Sequence, residues 1–134
     1  MVAYLLDTDI CIYLIKRKPA KVLAKLQSLE ISTVGISAIT LSELEYGVAK
    51  SSKPDRNKLA LAEFVAPLEL LPYDDAAAAQ YGPIRTFLET QGTPIGPLDT
   101  LIAAHASALE CTIVTNNEKE FSRIPNLSVE NWVN

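Results

Sequence analysis

Five short, mostly apolar segments alternate with helical segments along this chain, and this alternation constrains the fold more than any other feature. The segments at 2–6, 31–37, 68–74, 111–115 and 127–132 are predicted as strands, and the second and fourth are made mostly of β-branched residues. Spacing and turn residues predict helices at 8–15, 20–29, 40–50, 56–68, 76–91 and 98–109, with Gly92 as the C-cap of the fifth helix. Apolar strands separated by helices form a parallel sheet that is covered on both faces. The sequence therefore predicts an α/β fold.

The composition is that of one folded domain, which we expect to span residues 1–134. Of the 134 residues, 49% are hydrophobic and 21% are charged, which allows a hydrophobic core of ordinary size. No run approaches the roughly 18 apolar residues that a membrane span needs, and no secretory signal is recognisable, so we expect no membrane association. Cys11 and Cys111 lie in apolar surroundings and are expected to be reduced thiols of a cytoplasmic protein.

The charge balance opposes binding of nucleic acid through charge alone. The net charge is −4, whereas proteins that bind nucleic acid mainly through charge are usually basic. Two local groups of basic residues are present: Lys16, Arg17, Lys18, Lys21 and Lys25 in one, and Lys50, Lys53, Arg56 and Lys58 in the other. Solvated helix ends explain both groups unless another feature indicates a polyanionic partner.

Polar residues recur directly after the predicted strands or at the starts of the helices between them, at the edge of the sheet where such folds bind ligands. They are carboxylates, amides and hydroxyls: Asp7, Thr8, Asp9, Ser37, Thr40, Glu43, Asp99, Thr115, Asn116, Asn117 and Glu120. Several carboxylates held close together repel one another unless a cation lies among them. Oxygen ligands without histidine or cysteine suit Mg²⁺ or Mn²⁺ and argue against zinc.

Each acid also has an alternative role at the start of a helix. Asp7 precedes a helix, although a neighbouring residue could cap that helix equally well and leave Asp7 free. Glu43 follows Thr40 at the spacing of a capping box, and Asp99 lies in a predicted first turn. The occurrence of all three acids at one edge of the sheet favours a site over three separate caps.

The only histidine, His105, lies on a mostly apolar helix, where a packed or surface role is more common than catalysis. A nuclease that uses two histidines as acid and base cannot be built from this chain, so phosphodiester chemistry would have to be metal-assisted. Phosphate-binding glycine loops and serine-hydrolase motifs are absent.

Four motifs follow one another over nearly the whole chain: LLDTD at 5–9, SAITLSELEYG at 37–47, GTPIGPLDTLIAAHA at 92–106 and TIVTNNEKEF at 112–121. In order and spacing they resemble the PIN-domain ribonucleases, and more closely the VapC toxins of bacterial toxin–antitoxin pairs. The resemblance implies a three-layer α/β/α sandwich with a central parallel sheet.

The resemblance also implies a set of site residues. The metal-binding acids are Asp7, Glu43 and Asp99, and the supporting polar residues are Thr8, Thr115 and Asn116. Asn117 stands where many relatives have a fourth acid. Glu120, one helical turn later, could reach back to serve as that catalytic acid instead, because residues three apart on a helix share a face.

The implied activity is that of an endoribonuclease that depends on Mg²⁺, with Mn²⁺ as the other candidate ion. Asp7 and Asp99 would hold the ion, and Glu43 would be a ligand or the base that orients water. By the same resemblance, the substrate is RNA, above all the anticodon region of a tRNA, and cleavage leaves a 5′-phosphate and a 3′-hydroxyl. The implied partners are a VapB-type antitoxin, whose tail blocks the site, and a second copy of the chain in a homodimer.

Two other functions stay open on the sequence alone. A haloacid-dehalogenase-like phosphatase would use Asp7 as its nucleophile. Asp74 and Asp75 would be its late acidic pair, although they lie closer to the N-terminus than such a pair should. A non-catalytic binding module would use the acids only as helix caps and would gain no stability from Mg²⁺.

Overall fold

A single sheet of five parallel strands forms the centre of the molecule. The computed structural model describes residues 1–134, and the strands lie side by side in the order β3-β2-β1-β4-β5. They are β1 (Tyr4–Leu6), β2 (Val34–Ser37), β3 (Glu69–Leu71), β4 (Thr112–Val114) and β5 (Ser128–Glu130). The predicted parallel α/β fold is therefore confirmed.

Seven helices flank the sheet and make three layers with it. They are α1 (Thr8–Lys16), α2 (Ala20–Gln27), α3 (Ala38–Ala49), α4 (Pro54–Val65), α5 (Asp75–Thr90), α6 (Pro97–Leu109) and α7 (Glu118–Phe121). Neighbouring residues of a strand point to opposite faces. Leu6 and Val114 accordingly pack with α1 to α4 in one hydrophobic cluster, while Leu5 and Ile113 pack with α5 and α6 in the other. This is the expected α/β/α sandwich.

Several element boundaries differ from the prediction for local reasons. Residues 31–33, expected to begin the second strand, form a 3₁₀ turn in which the Thr33 N–H and hydroxyl both bond the Glu30 carbonyl, at 2.9 and 2.6 Å. Strand β3 ends before Pro72, which has no N–H to offer a neighbouring strand. Helix α7 was not given as a separate helix, because four residues are too short for a periodic pattern, although the expected reach of Glu120 to the site assumed a helical turn there.

The end of α5 matches its prediction in detail. Gly92 has a φ of +72°, and its N–H bonds the Glu89 carbonyl at 3.0 Å. The N–H of Thr93 bonds the Leu88 carbonyl at 2.9 Å, which completes a Schellman motif. This turn releases the chain into the loop that leads to α6 and Asp99.

The order of the strands fixes where a ligand can bind. From β1 the chain builds outward through β2 to β3, then returns to the other side of β1 for β4 and β5. The carboxyl ends of β1 and β4 therefore form a topological switch point, the usual ligand site of such sheets. Asp7 and Thr115 are the residues that directly follow these two strands. None of the helices has the length and apolar character needed to cross a membrane.

Candidate active site

Asp7 is a buried carboxylate held by two hydrogen bonds. Its Oδ1 accepts the Thr8 N–H and its Oδ2 accepts the Thr115 hydroxyl, each at 2.8 Å. Asp7 is itself the N-cap of α1, so the alternative in which a neighbouring residue caps this helix is not the one that the structure shows. Asp7 caps the helix with Oδ1, while Oδ2 lies at the switch point. Asp7 can therefore be both a helix cap and a site residue.

Glu43 is tied to the same place by Thr8. The Thr8 hydroxyl donates to Glu43 Oε1 at 2.7 Å, across 35 positions of the sequence. The alternative capping box is not formed, because Ser37 caps α3 by accepting the Ile39 N–H at 3.0 Å. The hydroxyl of Thr40 is buried without a hydrogen-bond partner. Glu43 is therefore positioned by Thr8, the first residue of α1, and not by a capping box of its own helix.

Asp99 and Glu120 approach each other from α6 and α7. Asp99 lies in the first turn of α6, and burial, followed by the charge of Glu120, raises its pKa. The Asn117 amide donates to Glu120 Oε2 at 2.8 Å, and its N–H donates to Thr115 Oγ1 at 2.9 Å. The structure thus brings Glu120 to the acidic cluster, with Asn117 as its support.

Asn116 lies at the edge of the cluster and does not contact Asp7. Its N–H donates to Asp9 Oδ2 at 3.1 Å, and its side-chain amide donates to the Tyr13 hydroxyl at 3.2 Å. Asp9, which the sequence placed at this edge without an assigned role, adds its charge to the effect of burial in raising the pKa of Asp7. The Asp-x-Asp spacing after β1 was the sequence signal that could have assigned this role.

The electrostatics of the cluster are those of acids without a counter-ion. Burial, followed by the charge of Asp9, raises the pKa of Asp7 to about 7. Burial, followed by the charges of Glu120 and Glu43, raises the pKa of Asp99 to about 6. The chain's two ion pairs, Lys58–Glu45 and Arg85–Glu89, include none of these acids. A cation bound here would relieve the mutual repulsion.

The donor set fits a hard divalent cation, but not as a preformed cage. As the side chains stand, no three histidine, cysteine or carboxylate groups are arranged to hold a metal ion together. Mg²⁺ in enzymes commonly keeps several waters and binds one or two carboxylates together with substrate phosphates. Carboxylates with raised pKa values and no basic neighbour are suited to that shared mode of binding.

His105 occupies the packed position that the sequence favoured. It is 1% exposed, its Nδ1 lies 2.8 Å from Ser37 Oγ, and its ring meets Tyr73 edge-on at 5.5 Å. Asp74, which the phosphatase alternative required near Asp7, instead caps α5 by accepting the Ala77 N–H at 3.0 Å. The late acidic pair of that alternative is therefore explained by helix capping.

Comparisons with known proteins agree with this geometry. A family model described as the PIN domain matches residues 4–127. A Salmonella typhimurium protein named tRNA(fMet)-specific endonuclease VapC is 45% identical, over 98% of this chain and 99% of its own length. Ribonuclease VapC2 of Rickettsia felis is 47% identical, over 96% of this chain and 97% of its own length.

Among solved structures, that of DNA-bound VapBC from Salmonella typhimurium contains a chain that is 45% identical and superposes with a TM-score of 0.93. The match covers 98% of this chain and 99% of that chain. PIN-domain VapC nucleases generally depend on a divalent metal, in agreement with the donor set. These findings favour a nuclease over a phosphatase or a binding module, and they show that the chain belongs to the PIN-domain family and, within it, to the VapC ribonuclease toxins.

Proposed function

We propose that this chain cleaves a tRNA in its anticodon region, with Mg²⁺ or Mn²⁺ as cofactor, and so blocks translation until a VapB-type antitoxin covers the site. The observation that carries the proposal is the convergence of Asp7, Glu43 and Asp99 at the switch point without a cationic side chain among them. The Salmonella relative, which is named for its action on tRNA(fMet), supports this choice of substrate.

The roles of the side chains follow from their contacts. Asp7 and Asp99 would hold the ion, which when bound would lower the pKa of water and neutralise charge on the phosphate oxygens. Thr115 and the Thr8 N–H fix both oxygens of Asp7, so the carboxylate is oriented before the ion arrives. Thr8 also fixes Oε1 of Glu43 and leaves Oε2 to serve as a ligand or to orient the attacking water.

Glu120 supplies the fourth acid of the site in this proposal. It lies beside Asp99, and Asn117 fixes it through Oε2. Thr115 helps to hold Asn117 in place, because its hydroxyl oxygen accepts the Asn117 N–H. Asn116 acts at the rim, where it holds Asp9 and Tyr13. Cleavage by this set leaves a 5′-phosphate and a 3′-hydroxyl.

Residues 1–134 act as one domain, in the cytoplasm where tRNA is present, and the chain pairs with a second copy and with an antitoxin. The VapBC structure from Salmonella typhimurium supports the antitoxin partner. An open groove of about 300 Å³ next to Glu43 is lined by apolar residues such as Ile12, Ile15 and Leu44, with Lys16 at its rim. A peptide tail in this groove would end at the acidic cluster and block it.

Incubation of the antitoxin-free protein with total tRNA, in Mg²⁺ or in EDTA, tests the function. We expect discrete fragments that require both the ion and Asp7, with 5′-phosphate ends identified by sequencing. Asp7→Asn should abolish cleavage while the variant stays folded. Asp55→Asn, at an exposed acid in the first turn of α4, is the matched control and should stay active. Intact tRNA under every condition would contradict the proposal.

A further inference from the structure

An open groove of about 640 Å³ leads away from the acidic cluster along α3. Its inner end is formed by Thr8 and Glu43, which are joined by the 2.7 Å hydrogen bond. It is also lined by Tyr46 and Lys50 of α3 and by Leu98 of α6. We call this surface the Tyr46 groove.

The spacing of residues on α3 creates the groove. Glu43, Tyr46 and Lys50 lie three and four positions apart, so their side chains share one face of the helix. Gly47 lies on the same face, and a Cβ added there would meet no atom within 4 Å. The absence of a side chain at this position keeps the groove open between the ring of Tyr46 and the acid.

Tyr46 is an unusual residue to leave exposed. It is 65% exposed, and Leu98 opposite is 45% exposed, although both are large side chains with much apolar surface. The Lys50 ammonium lies 4.8 Å from the centre of the Tyr46 ring. Lys50 forms no ion pair within the chain, so its charge is available to a ligand. An aromatic ring and an ammonium that lies over it without an acidic partner suit a planar, anionic ligand.

An unpaired nucleotide has this chemistry. Its base can stack on an aromatic ring, and its phosphate can bind a lysine ammonium. Such stacking tolerates any base and operates on single strands and loops, where bases are not already paired. A cation is also needed here for a second reason, because the neighbouring acids repel the phosphate backbone.

The position of the groove selects RNA over a second copy of the chain. Any molecule that fills the groove also covers Thr8 and Glu43 at its inner end. In a working nuclease these two residues must face the substrate, so a permanent protein contact in the groove would close the site. The occupant that is compatible with activity is the substrate itself.

We propose that the Tyr46 groove binds an unpaired nucleotide next to the cleaved bond, with its base stacked on Tyr46 and a phosphate bound by Lys50. This inference rests on the proposed RNA cleavage and adds a subsite to it. Leu98 closes the other side of the base through apolar contact. The groove thereby directs a loop of RNA, and not a paired stem, toward the acids.

Steady-state cleavage of an RNA hairpin that carries the anticodon stem and loop of tRNA(fMet) tests the subsite. Tyr46→Ala should raise KM about tenfold to a hundredfold, the range expected for loss of one base stack, with a much smaller change in kcat. Tyr46→Phe keeps the ring and should keep the wild-type KM. Phe87→Ala, which removes a partly exposed ring on α5, is the matched control and should also leave KM unchanged.

Hairpins with an abasic nucleotide at successive loop positions make the test specific. At one position beside the cleaved bond, loss of the base should raise KM for the wild type but cause no further increase for Tyr46→Ala. Lys50→Ala should reduce the salt dependence of hairpin binding by about one ion, whereas Lys21→Ala, an exposed lysine on α2, should not.

The outcomes separate this subsite from the function on which it rests. If the wild type cleaves the hairpin and Tyr46→Ala cleaves it with the wild-type KM, only the subsite is overturned. If Tyr46→Ala dissociates a dimer while hairpin binding per protomer is unchanged, the groove is a contact between copies and the subsite is overturned as well. If the wild type cleaves no RNA, the proposed function fails and the subsite fails with it.

Discussion

Thr115 donates its hydroxyl to Oδ2 of Asp7 at 2.8 Å, across 108 positions of the sequence. The bond joins the carboxyl ends of β1 and β4, the neighbouring strands between which the order of the sheet reverses. The same hydroxyl oxygen accepts the Asn117 N–H at 2.9 Å. One buried threonine therefore positions both the first acid and the segment that carries Glu120.

Replacement of Thr115 by valine should weaken both stability and catalysis. It leaves the Asp7 oxygen and the Asn117 N–H without their partner, which costs on the order of 1–3 kcal/mol in the free energy of unfolding. In the wild type this bond stabilises the charged form of Asp7. Its loss should therefore raise the pKa of Asp7 further and move the activity profile to higher pH. Urea unfolding and the pH dependence of tRNA cleavage measure the two effects.

Two variants control for the loss of a hydroxyl alone. Thr115→Ser keeps the donor and should retain most of the activity. Thr112→Val replaces a threonine of β4 whose side chain makes no hydrogen bond, and it should have little effect. Equal stability and activity of Thr115→Val and Thr112→Val would show that the bond to Asp7 does not matter.

The raised pKa values of Asp7 and Asp99 predict how stability depends on pH when no metal is bound. Their values of about 7 and about 6 lie above the ordinary 3.8, so between about pH 4 and pH 7 the folded state binds protons that the unfolded state releases. The metal-free protein should therefore lose stability as the pH rises through this window, by up to about 4 kcal/mol from Asp7 alone.

Thermal unfolding in EDTA from pH 5 to pH 8 measures this loss. Asp7→Asn has no titrating carboxylate at that position and should show a flatter dependence on pH. A divalent cation should restore stability at pH 8 in the wild type and do so less in the variant. A rise in the stability of the EDTA-treated wild type between pH 5 and pH 8 would have the wrong sign for a cluster of this kind.

Glu120→Gln tests the fourth acid. Removal of its charge should bring the pKa of Asp99 closer to the ordinary value, because the Glu120 charge is the second cause of the rise. If Glu120 helps to hold the ion, the Mg²⁺ concentration for half-maximal cleavage should increase roughly tenfold or more. Glu118→Gln, at an exposed acid two residues away, is the matched control. An unchanged Mg²⁺ requirement in Glu120→Gln would remove Glu120 from the site.

The parallel sheet and the placement of the three acids were predictable because both depend on short-range patterns. Apolar strands alternate with helices, and the carboxyl ends of parallel strands share one edge with the starts of the helices that lead back across the sheet. Asp7, after a strand, and Asp99, at the start of a helix, were therefore both expected at that edge. The assignment of helix caps was less predictable. Ser37 and Thr40 are both good capping residues, and the local sequence does not decide between them.

Contacts between distant segments decide what local patterns leave open. Glu43 was free to form a capping box until Thr8, 35 positions away, bonded its carboxylate. The Asp-x-Asp spacing placed Asp9 beside Asp7, but the effect of Asp9 on the pKa of Asp7 also depends on burial, which spacing alone does not give. Helix α7, which supplies Glu120, was not given as a separate helix because its four residues are too few to show a periodic pattern.

The buried bond between Ser37 and His105 joins the two helices that carry Glu43 and Asp99. Ser37 caps α3, His105 lies on α6, and the two atoms are 2.8 Å apart at positions separated by 68 residues. Burial lowers the pKa of His105, so the ring is neutral at physiological pH and takes no part as a charged group. We expect this bond to hold α3 and α6 in register, which sets the separation of the two acids.

A double-mutant cycle with Ser37→Ala and His105→Phe measures that link. Ser37→Ala removes a cap and takes the hydroxyl away from the imidazole, while His105→Phe leaves the Ser37 oxygen bonded only to the Ile39 N–H. Each should cost on the order of 1–3 kcal/mol in urea unfolding. Because each single variant already breaks the shared bond, the double variant should be more stable than the sum of the two losses predicts, by about 1 kcal/mol or more. Losses that add to within about 0.5 kcal/mol would mean that the bond contributes nothing beyond its two separate groups.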